Sequence, residues 1–161
     1  MENWTSKKCT EIVYDTNRDG YPKDNTNTFE MKVKNRSNLI FIVEDTNGNK
    51  FGGYLNATLT NVQAWTTDSN AFVFTLKSPG RNLGMRKFNI KSDKTNNAFY
   101  LWNHSDSYLF QFGGEFYIYK ENNKTSCYCG QNYFDYQGLS YPFTGNSNNF
   151  TPQRITVIQM K

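Results

Sequence analysis

The chain has 161 residues, of which 37% are hydrophobic and 17% aromatic, and a formal net charge of +4 from 18 Lys+Arg against 14 Asp+Glu. That length fits one domain whose core needs no staples. The mild basicity falls well short of a dedicated nucleic-acid coat, and no apolar run approaches the roughly 20 residues of a membrane-spanning helix.

With 13 Phe and 11 Tyr among Asn-rich turns, the composition predicts a mostly β protein, because aromatic side chains suit pleated, half-buried surfaces. Residues Glu11 to Tyr14 read as a first strand, ended by Asp15-Thr16-Asn17-Arg18-Asp19-Gly20. Thr28 to Lys34 reads as two helical turns with Thr26 or Asn27 as the cap. The unbroken apolar run Leu39 to Val43 predicts a strand covered on both faces. Asn47-Gly48 is a two-residue hairpin signal, since both residues tolerate positive φ. A strand from Lys50 to about Leu55 follows, and it carries Gly52-Gly53 between Phe51 and Tyr54. Glycines inside a strand mark a bulge or a close approach of another segment. We read the pair as a device at a sheet crossing where side chains would not fit.

Short β-like runs then recur at Ala71–Leu76, Lys87–Ile90, Ala98–Trp102, Tyr108–Phe112, Glu115–Tyr119 and Arg154–Ile158. Ser78-Pro79-Gly80 and Gly113-Gly114 separate neighbours, and residues 144–149 form a polar loop. Many short strands with frequent turn signals predict a sandwich or barrel in a single domain over residues 1–161.

The inventory for chemistry is thin. Cys9, Cys127 and Cys129 are odd in number, and residues 1–8 lack the apolar centre of a secretory signal, so reduced thiols in the cytoplasm are expected, with nuclear entry compatible. Cys127 and Cys129 would share one strand face, but zinc wants about four ligands and His104 is the only histidine. Asp15 to Gly20 matches the first half of a calcium loop, yet Thr26 stands where a bidentate Glu would close it. His104 falls in a turn, and Glu44 and Asp45 would point to opposite strand faces. Neither a nucleophile elbow nor a phosphate loop occurs, so we expect no enzymatic activity and no cofactor. The charge concentrates at Lys77, Arg81, Arg86, Lys87, Lys91 and Lys94, with Phe88 among them as one ring for stacking. On one face, these side chains would attract phosphates or an acidic protein surface.

The run from Tyr14 to Gly20, Phe51-Gly52-Gly53-Tyr54, Asp68-Ser69-Asn70-Ala71-Phe72-Val73-Phe74-Thr75-Leu76, Phe112-Gly113-Gly114 and the closing Phe150 to Met160 together resemble the TLDc domain over about residues 10–160. The resemblance implies a two-sheet antiparallel β-sandwich with short helices, in which Gly20, Gly52, Gly53 and Gly113 belong to the structural motif. It implies a role in resistance to oxidative stress, with the vacuolar proton-pumping ATPase as partner of several members, and it brings no established catalytic residues. The chain departs from the family pattern at Glu115-Phe116, where an acidic residue and a leucine are usual, and at its end, where a Glu-containing strand and a tryptophan are usual. The expected function is a protein-interaction module that binds a proton-pump subunit. The alternative is a DNA-binding stress regulator that uses the basic stretch.

Overall fold

The structure, a computed structural model, describes residues 1–161 apart from residue 146. A one-turn helix α1 (Glu2–Thr5) leads to strand β1 (Cys9–Asp15) and to helices α2 (Thr16–Asp19) and α3 (Thr28–Val33). Strands β2 (Leu39–Asp45), β3 (Lys50–Leu55), β4 (Trp65–Thr66), β5 (Phe72–Lys77) and β6 (Arg86–Asn89) follow. After a 3-10 turn over Ser92–Asn97 come β7 (Phe99–Leu101), β8 (Tyr108–Phe112) and β9 (Phe116–Tyr119). A second 3-10 turn, Glu121–Ser126, precedes β10 (Tyr128–Cys129) and the long final strand β11 (Pro152–Met160).

These strands build two antiparallel sheets, one of six strands in the order β1-β11-β2-β3-β5-β6 and one of five in the order β10-β9-β8-β7-β4. Packed face to face, they form a β-sandwich. The final strand lies between β1 and β2, which ties the end of the chain to its beginning.

The unbroken apolar run of β2 has a physical reason. Leu39, Phe41 and Val43 face the interior, where Phe41 packs against Phe99, Phe110 and Phe112 of the five-stranded sheet with ring centroids 4.9, 5.0 and 5.5 Å away. Ile40 faces the other way, into a second apolar cluster with Tyr54, Phe72, Phe74 and Met160. Trp4 of α1 covers that cluster, its ring centroid 6.1 Å from Phe72 and 5.9 Å from Phe74. The six-stranded sheet is therefore buried on both faces over part of its area, and strict alternation is lost there.

The β2–β3 connection differs from the expected two-residue turn. Asp45 N–H donates to the Asn49 carbonyl and Gly48 N–H to the Asp45 carbonyl, both at 3.0 Å, which closes a loop of three residues. Only Gly48 of the Asn47-Gly48 pair takes positive φ, +80°; this is the αL position that lets a three-residue loop match the strand twist. The Asp45 carboxylate holds the loop by accepting from the N–H groups of Asn47 and Asn49, each at 2.9 Å.

Helix α3 starts after Asn27, one of the two expected caps, but without a side-chain cap bond. The loop read over residues 144–149 includes residue 146, which lies outside the described residues.

Candidate functional site

The polar and charged side chains singled out in the sequence mostly secure loops. In the calcium-like segment, Asp15 accepts from Asn17 N–H at 3.0 Å as an Asx turn and from Arg154 Nε at 3.0 Å. Asp19 pairs with Arg18 and Lys32, both at 2.9 Å, and the Arg18 guanidinium holds its carboxyl well below the usual carboxylate range. Asp68 takes the N–H groups of Asn56, Ala57 and Asn70. Buried Lys120 donates to the carbonyls of Asn103, His104 and Asp106, so it clamps the turn that carries the histidine.

The basic stretch spreads over several settings. Lys77 is exposed at the end of β5. Arg81 turns inward: its guanidinium donates to the carbonyls of Tyr141, Pro142 and Phe143 at 2.9–3.1 Å and to Asn49 Oδ1 at 2.6 Å. Arg86 donates to the Leu83 carbonyl at 3.1 Å. Lys87 lies over the Phe72 ring on the outer face of the six-stranded sheet, 4.5 Å from its centroid. Lys91 and Lys94 come together against one segment, Lys91 on the Asn132 carbonyl at 2.9 Å and Lys94 over the Tyr133 ring while paired with Asp93. Phe88, expected as a stacking ring, is fully buried in the interior; alternation on β6 sends it to the core face.

Two of the motif glycines, Gly52 and Gly53, line contacts that leave no room. A β-carbon on Gly53 would stand 2.5 Å from the Phe112 ring across the sandwich, and one on Gly52 would stand 1.8 Å from the Phe41 carbonyl oxygen. Gly20 and Gly113 both take positive φ, +80° and +47°.

Sequence reading missed the anchoring role of Glu115. Its carboxylate is fully buried, and Oε1 accepts the N–H groups of Asn132, Tyr133 and Phe134 at 2.7, 2.6 and 3.0 Å. Burial raises its pKa, against the lowering effect of those bonds. The loop 132–134 is thus hung on one side chain of β9's entry turn. Nothing local in the sequence marks this, since the partners lie 17–19 positions away.

Cys127 and Cys129 are both buried, and burial pushes the Cys127 thiol up to about 12 and Cys129 well above its ordinary value. Neutral thiols of this kind are poor nucleophiles and poor metal ligands. Among the described residues, no three His, Cys, Asp or Glu side chains are grouped to hold a metal ion, and no helix is long and apolar enough to cross a membrane.

The feature best suited to a partner is the outer face of the six-stranded sheet. Beside the cluster under Trp4 lies an open depression of about 270 Å³, lined by Ile42, Glu44, Lys50, Leu76, Arg154 and Thr156. Its floor is aliphatic. Its rim holds a Glu44–Lys50 ion pair at 3.0 Å and the Arg154 guanidinium bound to Asp15. An apolar floor with a charged rim is the anatomy of a protein-binding patch.

A two-sheet antiparallel sandwich with short helices, in which Gly53 sits at the contact between sheets and Gly52 faces the outer cluster at Phe74, defines a class of small β-sandwich modules. The chain belongs to the TLDc domain family, whose model matches residues 2–160. No curated protein matches it in sequence.

Proposed function

We propose that this chain is a non-enzymatic, cytoplasmic interaction module of the oxidative-stress response, and that its partner is a subunit of the vacuolar proton-pumping ATPase. The observation that carries this reading is the family match over residues 2–160. The depression beside Ile42 and Leu76 supports it as the place of contact, because apolar atoms at the centre of a patch with a charged rim supply most of an interface's energy and specificity. Phosphate recognition by the stretch Lys77–Lys94 has less support, since Arg81 is committed to backbone carbonyls and the lysines face different neighbours.

The test is a pull-down from cell lysate with the tagged chain. Pump subunits should be recovered with the native sequence and lost with Leu76→Asp, provided circular dichroism shows the variant folded. Recovery of no pump subunit, under conditions that retain a positive-control TLDc partner, would overturn the proposed partner.

A further inference from the structure

The two faces of the five-stranded sheet are chemically segregated. Its inner face holds Phe99, Phe110, Phe112 and Phe116, all fully buried. On its outer face the aromatic side chains are tryptophan and tyrosine, and they touch in an unbroken line. Trp65 on β4 is 37% exposed, and its ring centroid is 5.1 Å from Tyr100 on β7. Tyr100 is 4.6 Å from Trp102, Trp102 is 4.7 Å from Tyr108 on β8, and Tyr108 is 4.2 Å from Tyr119 on β9. Strand pairing fixes this line, because cross-strand neighbours on one face stand about 4.5–5.5 Å apart at their β-carbons. Trp4, by contrast, packs against Phe72 and Phe74.

Indole and phenol rings give up an electron to strong one-electron oxidants far more readily than the benzene ring of phenylalanine does. Rings in contact exchange electrons quickly, and a phenol that sheds its proton with its electron is a better donor than indole. We propose that this face is a one-electron relay: a diffusing oxidising radical that takes an electron from Trp65 or Trp102 leaves the vacancy on Tyr108 and Tyr119, and the phenylalanine core beneath is spared.

The steps balance. The radical gains one electron and becomes its anion, while the tryptophan becomes a radical cation. Trp102 keeps its N–H proton, which is hydrogen-bonded to the Gln111 side-chain oxygen at 3.1 Å; an amide oxygen is too weak a base to take it. Tyr108 or Tyr119 then returns an electron to the tryptophan and releases its phenolic proton to water, which both half-buried side chains reach. The products are neutral tryptophan, a neutral tyrosyl radical and one proton. The relay does not depend on the partner-binding reading.

Pulse radiolysis with azide radicals, which oxidise indole in preference to phenol, tests it. In a Trp4→Phe/Trp65→Phe background Trp102 is the sole tryptophan, since the chain has 3. Its radical should convert to a tyrosyl radical at a rate independent of protein concentration. Adding Tyr100→Phe and Tyr108→Phe keeps the ring stack and should slow that intramolecular phase sharply, since the electron must then come from Tyr119 past a phenylalanine ring. An unchanged phase, or conversion that scales with protein concentration, would overturn the relay. Should the fourfold variant fail to fold, mapping of oxidation products in the native chain decides the matter. Products should concentrate on Tyr108 and Tyr119 over Tyr141, which is also half-buried; equal modification of Tyr141 would overturn the proposal.

Discussion

Arg81, in the loop after β5, donates a hydrogen bond of 2.6 Å to the side-chain oxygen of Asn49 in the β2–β3 turn. The same guanidinium reaches three successive carbonyls at residues 141–143. One side chain therefore joins a hairpin, a loop and the segment leading toward β11. Five donors in a fixed fork make arginine suited to this, and a lysine would reproduce only part of it.

Arg81→Ala should therefore cost about 2 kcal/mol of stability, as several charge-assisted bonds to carbonyls are lost at once. Lys77→Ala, at an exposed strand end, should stay within about 0.5 kcal/mol. Urea denaturation of both variants checks this; equal effects would show that Arg81 is a surface charge like its neighbour.

The two motif glycines should differ in how they can be rescued. At Gly53 the obstacle is the Phe112 side chain, so Gly53→Ala should cost about 1–3 kcal/mol as overpacking, and Phe112→Leu should relieve part of that cost. Gly53→Val should damage folding outright. At Gly52 the obstacle includes the Phe41 backbone oxygen at 1.8 Å, so Phe74→Leu should not rescue Gly52→Ala. The denaturation midpoints of the single and double variants, compared as a cycle, measure both.

Glu115 should leave a signature in the pH dependence of stability. Its folded-state carboxyl holds a proton to higher pH than the ordinary value of 4.5, because burial penalises the charged form. Between that value and the raised one the folded chain binds more protons than the unfolded chain, so stability is fully present below the window and falls as the pH rises through it. Glu115→Gln, which cannot titrate, should flatten this slope. Glu115→Leu should cost about 3 kcal/mol or more, by stranding three buried N–H groups. Urea midpoints measured from pH 4.5 upward give the slope directly, and a slope shared by the native chain and Glu115→Gln would assign it to another group.

Thiol labelling should count one reactive cysteine in the folded chain. Cys9 is exposed, whereas Cys127 and Cys129 are buried with raised pKa values. A thiol reagent at mildly alkaline pH should modify Cys9 alone, and all 3 cysteines after denaturation. Rapid modification of Cys127 or Cys129 in the native state would mean that the β9–β10 edge opens on the labelling timescale.

Much of this architecture was legible in the chain. β-like composition and turn punctuation placed β3 and β8 to the residue, and the main strands to within two residues at either end, because composition and turn residues are local properties. The two-residue strands β4 and β10 carry too few residues to show a period. Helix α1, a single turn, has no apolar periodicity of its own; Trp4 is placed by the cluster it covers. Asn47-Gly48 signalled the hairpin, but the length of its loop depended on where the Asp45 carboxylate found its donors.

The sequence by itself determined the fold class and the family, through runs of apolar residues, turn punctuation and a glycine pair that can be read without knowing what lies opposite. Only the tertiary structure decided the fate of the charged and aromatic side chains. Arg81 and Lys77 belong to one basic stretch, yet one is spent on carbonyls of residues 60–62 positions away and the other stands in solvent. Phe88 reads as a ring among lysines and is core, while Trp65 to Tyr119 form a continuous line drawn from four strands and the turn after β7. The physical reason is range: alternation and turn propensity act over a few residues, whereas hydrogen-bond partners and ring contacts are assigned by strand pairing between distant parts of the chain.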